Sequence, residues 1–200
     1  MTASANPARR PFPEALREYL NPRNAWGTFR VGARPAAVVA ALFEEGGEWW
    51  VPFVARRNDA PDHPGQVGLP GGGVKPGEDA WAAAARECAE EIGVVAGTLS
   101  PLGASSPIYA AVSNFSVVPF VAVVNGPRPA FVHQESELDA VIEVPVLELL
   151  REEAWIEAEP GSWLGQHFPW NDRIVWGLTA RILSDLLPRF RKAMDASAPS

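Results

Sequence analysis

The sequence is poor in the residues that several common kinds of protein depend on. It has a single cysteine in 200 residues, Cys88, so no disulfide can form within the chain, which suits a reducing compartment. It has no apolar run long enough to span a bilayer. Acidic residues outnumber basic ones, and the formal net charge of −7 leaves no basic stripe for general nucleic-acid binding. We therefore predict a cytoplasmic protein that binds neither nucleic acid nor membranes but is compatible with a small phosphorylated ligand.

The two ends of the chain differ in composition from its middle. The start, MTASANPARRPFP, lacks the apolar core of a secretory signal and predicts a disordered leader, followed by a short amphipathic helix at Phe12–Leu20. The Ala, Ser and Pro residues after Arg191 predict a frayed tail. A hydrophobic content of 47% without repeats or linkers indicates one core. The expected organisation is a leader with a short helix at 1–30, one domain at 31–191 and a tail at 192–200.

The most informative segment is residues 72–94, GGVKPGEDAWAAAARECAEEIGV. A run from about Asp79 to Ile92 is rich in Ala and Glu, which favours a helix that ends at Gly93. Three glutamates then lie at i, i+3 and i+4, on one face within a single turn. They form a solvated acidic surface or, as we favour, a site where a hard divalent cation removes their repulsion. The pattern predicts Mg²⁺ or Mn²⁺ bound by Glu87, Glu90 and Glu91.

This segment resembles the Nudix box of the Nudix hydrolase superfamily, G-x5-E-x7-R-E-U-x-E-E-x-G-U, in which U is a bulky aliphatic residue. Every specified position matches except Cys88, which packs as a small hydrophobe where the pattern has an aliphatic residue. The resemblance implies an α/β fold, the Nudix α/β/α sandwich with a mixed sheet. It implies hydrolysis of a diphosphate bond by substitution at phosphorus, in a small-molecule nucleotide substrate.

The same resemblance assigns roles within the box. Glu87, Glu90 and Glu91 would bind the metal ion, and the carbonyl of Gly72 would add a ligand. Arg86 and Glu78 would brace the loop against the helix, so that Arg86 belongs to the catalytic group.

The rest of the sequence predicts strands and a second long helix. Pro119 inside one of the apolar runs indicates an edge strand or a bulge. The predicted strands are Arg34–Phe43, Trp49–Arg56, Phe115–Val124 and Val141–Val144, with a hairpin joining the first two. Apolar residues at helical spacing predict a helix from Arg173 to Phe190 that packs on the sheet.

Two segments outside the box resemble the coenzyme A diphosphatase branch of the superfamily. They are HPGQVGLPGG at residues 63–72 and RIVWGLTARIL at residues 173–183. This implies coenzyme A or acyl-coenzyme A as substrate, with 3′,5′-ADP and (acyl-)4′-phosphopantetheine as products. The candidate substrate-binding residues are Arg56, Arg57, His63 and Gln66.

The match to this branch departs at two positions. Pro61 stands where the branch has a second basic residue, and Leu69 replaces Phe. Arg57 or His63 could substitute for the missing cation. The departures keep ADP-ribose, NADH or a damaged nucleotide as alternative substrates, and a non-catalytic nucleotide sensor as a second alternative.

A general base is expected from the box or from the acidic segment at residues 133–139, HQESELD. Aligning Val144-Pro145 with the family pattern favours Glu137, with Glu135 and Asp139 as alternatives. Either Glu90 or Glu137 would accept the proton from the attacking water. The sequence leaves the oligomeric state open, a homodimer included.

Overall fold

The computed structural model describes residues 10–23, 26–59, 64–160, 162 and 164–197. The α-helices in these ranges are α1 Phe12–Leu16, α2 Ala80–Ile92, α3 Val146–Leu149 and α4 Gly177–Ser197. The strands are β1 Arg34–Glu45, β2 Glu48–Arg56, β3 Val67–Gly68, β4 Gly71–Gly73, β5 Leu99–Ala104, β6 Ile108–Ala110, β7 Phe115–Val124, β8 Leu138–Pro145, β9 Phe168–Trp170 and β10 Arg173–Val175.

Eight of the strands form one mixed sheet. β1 runs parallel to β7 and antiparallel to β2 and β4. β5 and β6 pair antiparallel with β7, while β3 and β8 pair antiparallel with β2. β9 and β10 form a separate antiparallel pair. The predicted hairpin between β1 and β2 is therefore confirmed, as is a mixed sheet.

The two faces of the sheet carry separate hydrophobic cores. Successive residues of β1 alternate between these faces, as a strand requires. One core joins Ala37, Val39 and Phe43 to α2, and the other joins Ala36 and Leu42 to α1 and α4. Because helices cover both faces, the predicted α/β/α sandwich is confirmed.

The prediction that Pro119 marks an edge or a bulged strand is wrong, because β7 lies inside the sheet between β1 and β5. The carbonyl of Pro119 accepts a hydrogen bond from Ser105 N at 2.8 Å, just beyond the end of β5. Because the N–H and C=O of a strand residue point the same way, the nitrogen of Pro119 faces the break between β5 and β6. The missing donor therefore removes no ladder hydrogen bond to β1.

The predicted helix at Arg173–Phe190 has the wrong ends. Its first residues form β10, in which Val175 is buried while Ile174 is 40% exposed, the alternation of a strand. Helix α4 begins at Gly177 and continues to Ser197. Ala193 is fully buried, so packing extends the helix into the region predicted as a frayed tail.

The predicted short helix near the start of the chain is present as α1, extended by a 3₁₀ turn at Arg17–Tyr19. Phe12 meets Phe190 of α4 edge to face, with ring centroids 6.0 Å apart. The leader residues 1–9 lie outside the described residues. In the described part of the chain, no helix combines the length and apolarity needed to cross a membrane.

Candidate active site

Helix α2 brings the box carboxylates to one place. It begins at an N-cap, Asp79, whose side chain accepts a hydrogen bond from Ala82 N at 2.8 Å, and it ends at Gly93 with φ 74°. Its alanine face packs on the sheet. Its three glutamates lie in the last turns, where the helix dipole disfavours negative charge and no basic residue of the last turn compensates. This arrangement costs stability unless a cation is close.

Arg86 donates hydrogen bonds to several parts of the site. Its Nε and Nη2 donate to the two carboxylate oxygens of Glu78 at 2.8 and 3.1 Å. Its Nη1 donates to Glu87 at 2.7 Å and to Glu90 at 3.1 Å, and its Nη2 also donates to the carbonyl of Gly73 at 3.2 Å. One guanidinium group therefore joins the loop before the helix, strand β4 and the acidic face.

Glu78 is held in its charged form. The hydrogen bond from Arg86 lowers the pKa of Glu78 to about 2, with help from the backbone N–H of Lys75 at 3.0 Å. The same contact raises the pKa of Arg86 above its ordinary value. The pair therefore stays ionised at neutral pH.

Glu91 has the opposite environment. Its side chain is buried, and burial raises the pKa of Glu91 to about 7. The N–H of Gly71, which donates to it at 2.9 Å, and the guanidinium of Arg56 at 3.9 Å lower this pKa. Glu87 and Glu137 raise it further, so these carboxylates lie close enough to repel one another.

The glycines of β4 let the strand approach α2 and β1 closely. A Cβ on Gly72 would lie 2.6 Å from the side-chain carboxyl carbon of Glu87. Gly71 has φ 152°, and a Cβ there would lie 2.3 Å from the carbonyl oxygen of Ala37. Gly71 therefore requires glycine, because its Cβ would meet backbone atoms, whereas a Cβ on Gly72 would meet only the flexible end of the Glu87 side chain. Because of these contacts, the backbone of β4 lies directly against the box carboxylates.

A loop after β7 places Glu137 near the helix. The backbone N–H groups of Val132 and Gln134 donate to the carbonyls of Ile92 and Glu91, each at 3.2 Å, which satisfies the end of α2. The side-chain amide of Gln134 lies 3.5 Å from the carboxylate of Glu137. Glu137 is exposed, so its carboxylate is open to solvent.

The alternative bases are placed differently. Asp139 lies 3.8 Å from Arg173, which commits it to an ion pair between β8 and β10. The carbonyl of Glu135 accepts a hydrogen bond from Arg57 at 3.3 Å. The charge of Glu137, by contrast, acts on Glu91 and raises the pKa of Glu91.

The four predicted substrate-binding residues are not equally available. Arg57 makes a two-pronged contact with Asp59, at 2.7 and 2.8 Å, and supports the loop backbone. Arg56 faces Glu91, and its N–H donates to the carbonyl of Gln66 at 2.9 Å. His63 lies outside the described residues, as does Pro61. The contact of Arg56 with Glu91, which is 35 positions away, carried no signal in the sequence.

The candidate metal ligands suit a hard cation, although the three glutamate carboxylates do not surround one point in this structure. All candidate ligands offer oxygen, the preference of Mg²⁺ and Mn²⁺. In the described ranges, no group of three His, Cys, Asp or Glu side chains is arranged around one point. Glu87 and Glu90 turn toward Arg86, while Glu91 turns toward Gly71. Holding an ion therefore requires these side chains to rotate away from their present partners.

The two segments that flank the box in the sequence meet in the fold. A Cβ on Gly68 of β3 would lie 3.7 Å from the hydroxyl oxygen of Thr179 in the first turn of α4. β10, which leads into α4, also lies against β3. Leu69 is buried in the core beneath them, so its replacement of Phe changes packing.

Known proteins are similar to this chain in sequence and in fold. The Nudix hydrolase NudL of Yersinia enterocolitica is 32% identical over 146 residues, covering 67% of this chain and 71% of that protein. Nudix hydrolase 22 of Arabidopsis thaliana is 31% identical over 167 residues, covering 77% of this chain but only 54% of its own length. The structure of a Nudix hydrolase from Alicyclobacillus acidocaldarius superimposes with a TM-score of 0.56 at 18% identity, covering 84% of this chain and 97% of that one.

A family model described as NUDIX domain matches residues 33–171. The match spans more than half of the chain and includes β1, the glycine strand β4 and the whole of α2. The carboxylates and Arg86 therefore lie within the matched region. This chain belongs to the Nudix hydrolase family.

Proposed function

We propose that the protein hydrolyses the diphosphate bond of coenzyme A or acyl-coenzyme A, releasing 3′,5′-ADP and (acyl-)4′-phosphopantetheine. The observation that supports this substrate is the meeting of the two flanking segments beside the box. The loop that ends in β3 and the first turn of α4 are far apart in sequence, yet Gly68 and Thr179 are neighbours. Both segments resemble the coenzyme A branch, and together they form one wall next to Arg56 and Glu91.

The family generally uses divalent metal ions, and the oxygen donors of this site suit them. Glu87, Glu90, Glu91 and the carbonyl of Gly72 would hold the ion. It would neutralise phosphate charge and lower the pKa of an attacking water. Arg86 and Glu78 would keep β4 and α2 at a fixed spacing, so that the carboxylates stay positioned.

Proton removal from the attacking water requires a carboxylate that is exposed and ionised. Glu90 and Glu137 both meet the first condition, since the side chain of Glu90 is 50% exposed and Glu137 lies on an exposed loop. Glu91 is less suitable because its carboxylate is buried and bonded to Gly71 N. We therefore propose that Glu90 or Glu137 accepts the proton from the attacking water.

The test is incubation of the pure protein with Mg²⁺ or Mn²⁺ and a panel of diphosphate compounds, with products identified by mass spectrometry. The panel contains coenzyme A, acetyl-coenzyme A, ADP-ribose, NADH and an oxidised nucleoside triphosphate. We expect 3′,5′-ADP from the first two at a higher kcat/KM than any product from the others. Preferential cleavage of ADP-ribose or NADH would replace the coenzyme A assignment, and binding without any product would indicate a nucleotide sensor.

A further inference from the structure

A short turn that carries Glu137 lies between the end of α2 and the start of β8. We call residues 134–138 the Glu137 turn. The N–H of Gln134 donates to the carbonyl of Glu91 at 3.2 Å, which bonds the turn to the helix. The carbonyl of Gln134 accepts hydrogen bonds from Glu137 N and Leu138 N, each at 2.9 Å. Residues 134–137 are exposed, so the position of the turn depends on its backbone contacts more than on packing.

Arg57 contacts the Glu137 turn at two points. Its backbone N–H donates to the carbonyl of Glu137 at 3.1 Å, and its Nη1 donates to the carbonyl of Glu135 at 3.3 Å. Arg57 and Glu135 are 78 positions apart in the sequence. Because both acceptors are backbone carbonyls, these contacts fix the path of the chain through the turn.

Asp59 orients the guanidinium group of Arg57. The Nε and Nη2 of Arg57 donate to the two carboxylate oxygens of Asp59, at 2.7 and 2.8 Å. A planar guanidinium held by two parallel hydrogen bonds has a defined orientation, so this pair also determines where Nη1 lies. The side chains of Arg57 and Asp59 are 40% and 71% exposed, so their pairing contributes orientation more than stability.

The position of the Glu137 turn matters for the proposed reaction. The turn is bonded to the backbone of Glu91, whose side chain is a candidate metal ligand. A general base must lie within hydrogen-bond reach of the water that it deprotonates. A misplacement of 1 Å at an active site can lower a rate by roughly 100-fold. A shift of the turn would therefore separate Glu137 from the attacking water.

We propose that Arg57 is a positioning residue, which fixes the Glu137 turn beside the box through its contacts with Glu135 and Glu137. This inference rests on the proposed function, in which Glu90 or Glu137 accepts the proton, and it selects Glu137. It gives Arg57 a different role from the substrate contact that the sequence predicts. The two roles have opposite kinetic consequences.

Steady-state kinetics distinguish a positioning residue from a substrate contact. The substrate is the compound of the diphosphate panel that the unmodified protein cleaves fastest. We expect Arg57→Ala to lower kcat by about tenfold and to leave KM within about twofold. Asp59→Asn, which releases the guanidinium group, should also lower kcat. A raised KM with unchanged kcat in Arg57→Ala, together with a lowered KM in Asp59→Asn, would show that Arg57 binds the substrate and would overturn the proposal.

A double-mutant cycle tests whether Arg57 acts through Glu137. In a Glu137→Gln background the proton acceptor is already lost, so Arg57→Ala should lower kcat by less than about twofold further. Arg151→Ala is the matched control, since Arg151 is an exposed arginine after α3 that also pairs with carboxylates, Glu148 and Glu153. It should leave kcat unchanged. An equal loss from Arg57→Ala in both backgrounds, or an unchanged kcat in Glu137→Gln, would overturn the proposal and leave the hydrolase assignment intact.

Hydrogen exchange followed by mass spectrometry measures the turn without catalysis. Arg57→Ala should raise the exchange rates of the Glu137 and Leu138 amides by about tenfold, and Arg151→Ala should not. Unchanged exchange in Arg57→Ala would overturn the proposal whatever the substrate is. If exchange at the turn rises and no compound of the panel is cleaved, the anchoring of the turn is supported and the proposed function fails alone.

Discussion

Replacing Glu78 with glutamine tests whether the contact with Arg86 fixes the box loop to α2. The substitution removes the charge from a carboxylate that accepts two hydrogen bonds from Arg86 and one from Lys75 N. Hydrogen bonds to charged groups contribute roughly 1.5–3 kcal/mol. The two side chains are 16% and 21% exposed, so water screens the pair only in part. We expect the free energy of unfolding to fall by about 1.5 kcal/mol, which corresponds to a Tm lower by about 3–6 °C for a chain of this length.

The effect of Glu78→Gln should depend on pH in a defined direction. The pKa of Glu78 is about 2 in the fold and 4.5 for an ordinary glutamate. A carboxylate with a lowered pKa stabilises the fold at pH values above its unfolded pKa, and this contribution fades as the pH falls from 4.5 toward 2. The Tm difference between the two proteins should therefore be full at pH 7 and smaller at pH 3.

Thermal unfolding followed by circular dichroism at pH 7, 4 and 3 gives this comparison. Glu148→Gln is the matched control, since Glu148 also pairs with an arginine, Arg151 at 3.0 Å, on an exposed surface. Such surface pairs contribute about 0–1 kcal/mol. Equal Tm values for Glu78→Gln and the unmodified protein at pH 7 would refute the bracing role, and a difference that persisted unchanged at pH 3 would refute its electrostatic origin.

Three further outcomes follow from the site. Glu90→Gln should lower kcat by about 100-fold or more while changing Tm little, and Glu153→Gln, an exposed glutamate elsewhere, should match the unmodified rate in steady-state kinetics. Gly71→Ala places a Cβ 2.3 Å from the carbonyl oxygen of Ala37, at a backbone angle that favours glycine, and should cost about 1–3 kcal/mol in urea unfolding, whereas Gly97→Ala meets no atom within 4 Å and should be nearly neutral. Chelation with EDTA should abolish turnover, and added Mg²⁺ or Mn²⁺ should restore it; a rate that survives chelation would contradict the metal assignment.

Local chemistry made much of the site predictable. The ends of α2 can be predicted to within a few residues from an N-cap aspartate, an alanine-rich run and a terminal glycine. The spacing of the glutamates then shows that they lie on one face of the helix. The strands β1, β2 and β7 were recognisable because their apolar runs are bounded by turns. These features depend on neighbours in the sequence, and the prediction needed no tertiary information.

Two of the missed features depend on residues that are distant in sequence. Arg56 faces Glu91 because β2 and α2 are brought together by the sheet. Pro119 is tolerated inside the sheet because the neighbouring strand breaks opposite its nitrogen, which only the register of β5 and β6 reveals. Arg173 was assigned to a helix because apolar residues at short spacing fit strand and helix alike.

Helix α2 satisfies two demands that oppose one another. Its buried face consists largely of alanine, which lets the helix approach the sheet so closely that the Glu87 carboxylate lies against the backbone of Gly72. Its other face collects carboxylates at the negative end of the helix dipole, and one of them, Glu91, is pressed into the interior with a pKa of about 7. The packing of the alanine face therefore keeps the carboxylates of the other face in place. A cation that neutralises these carboxylates should stabilise the fold and also promote the reaction.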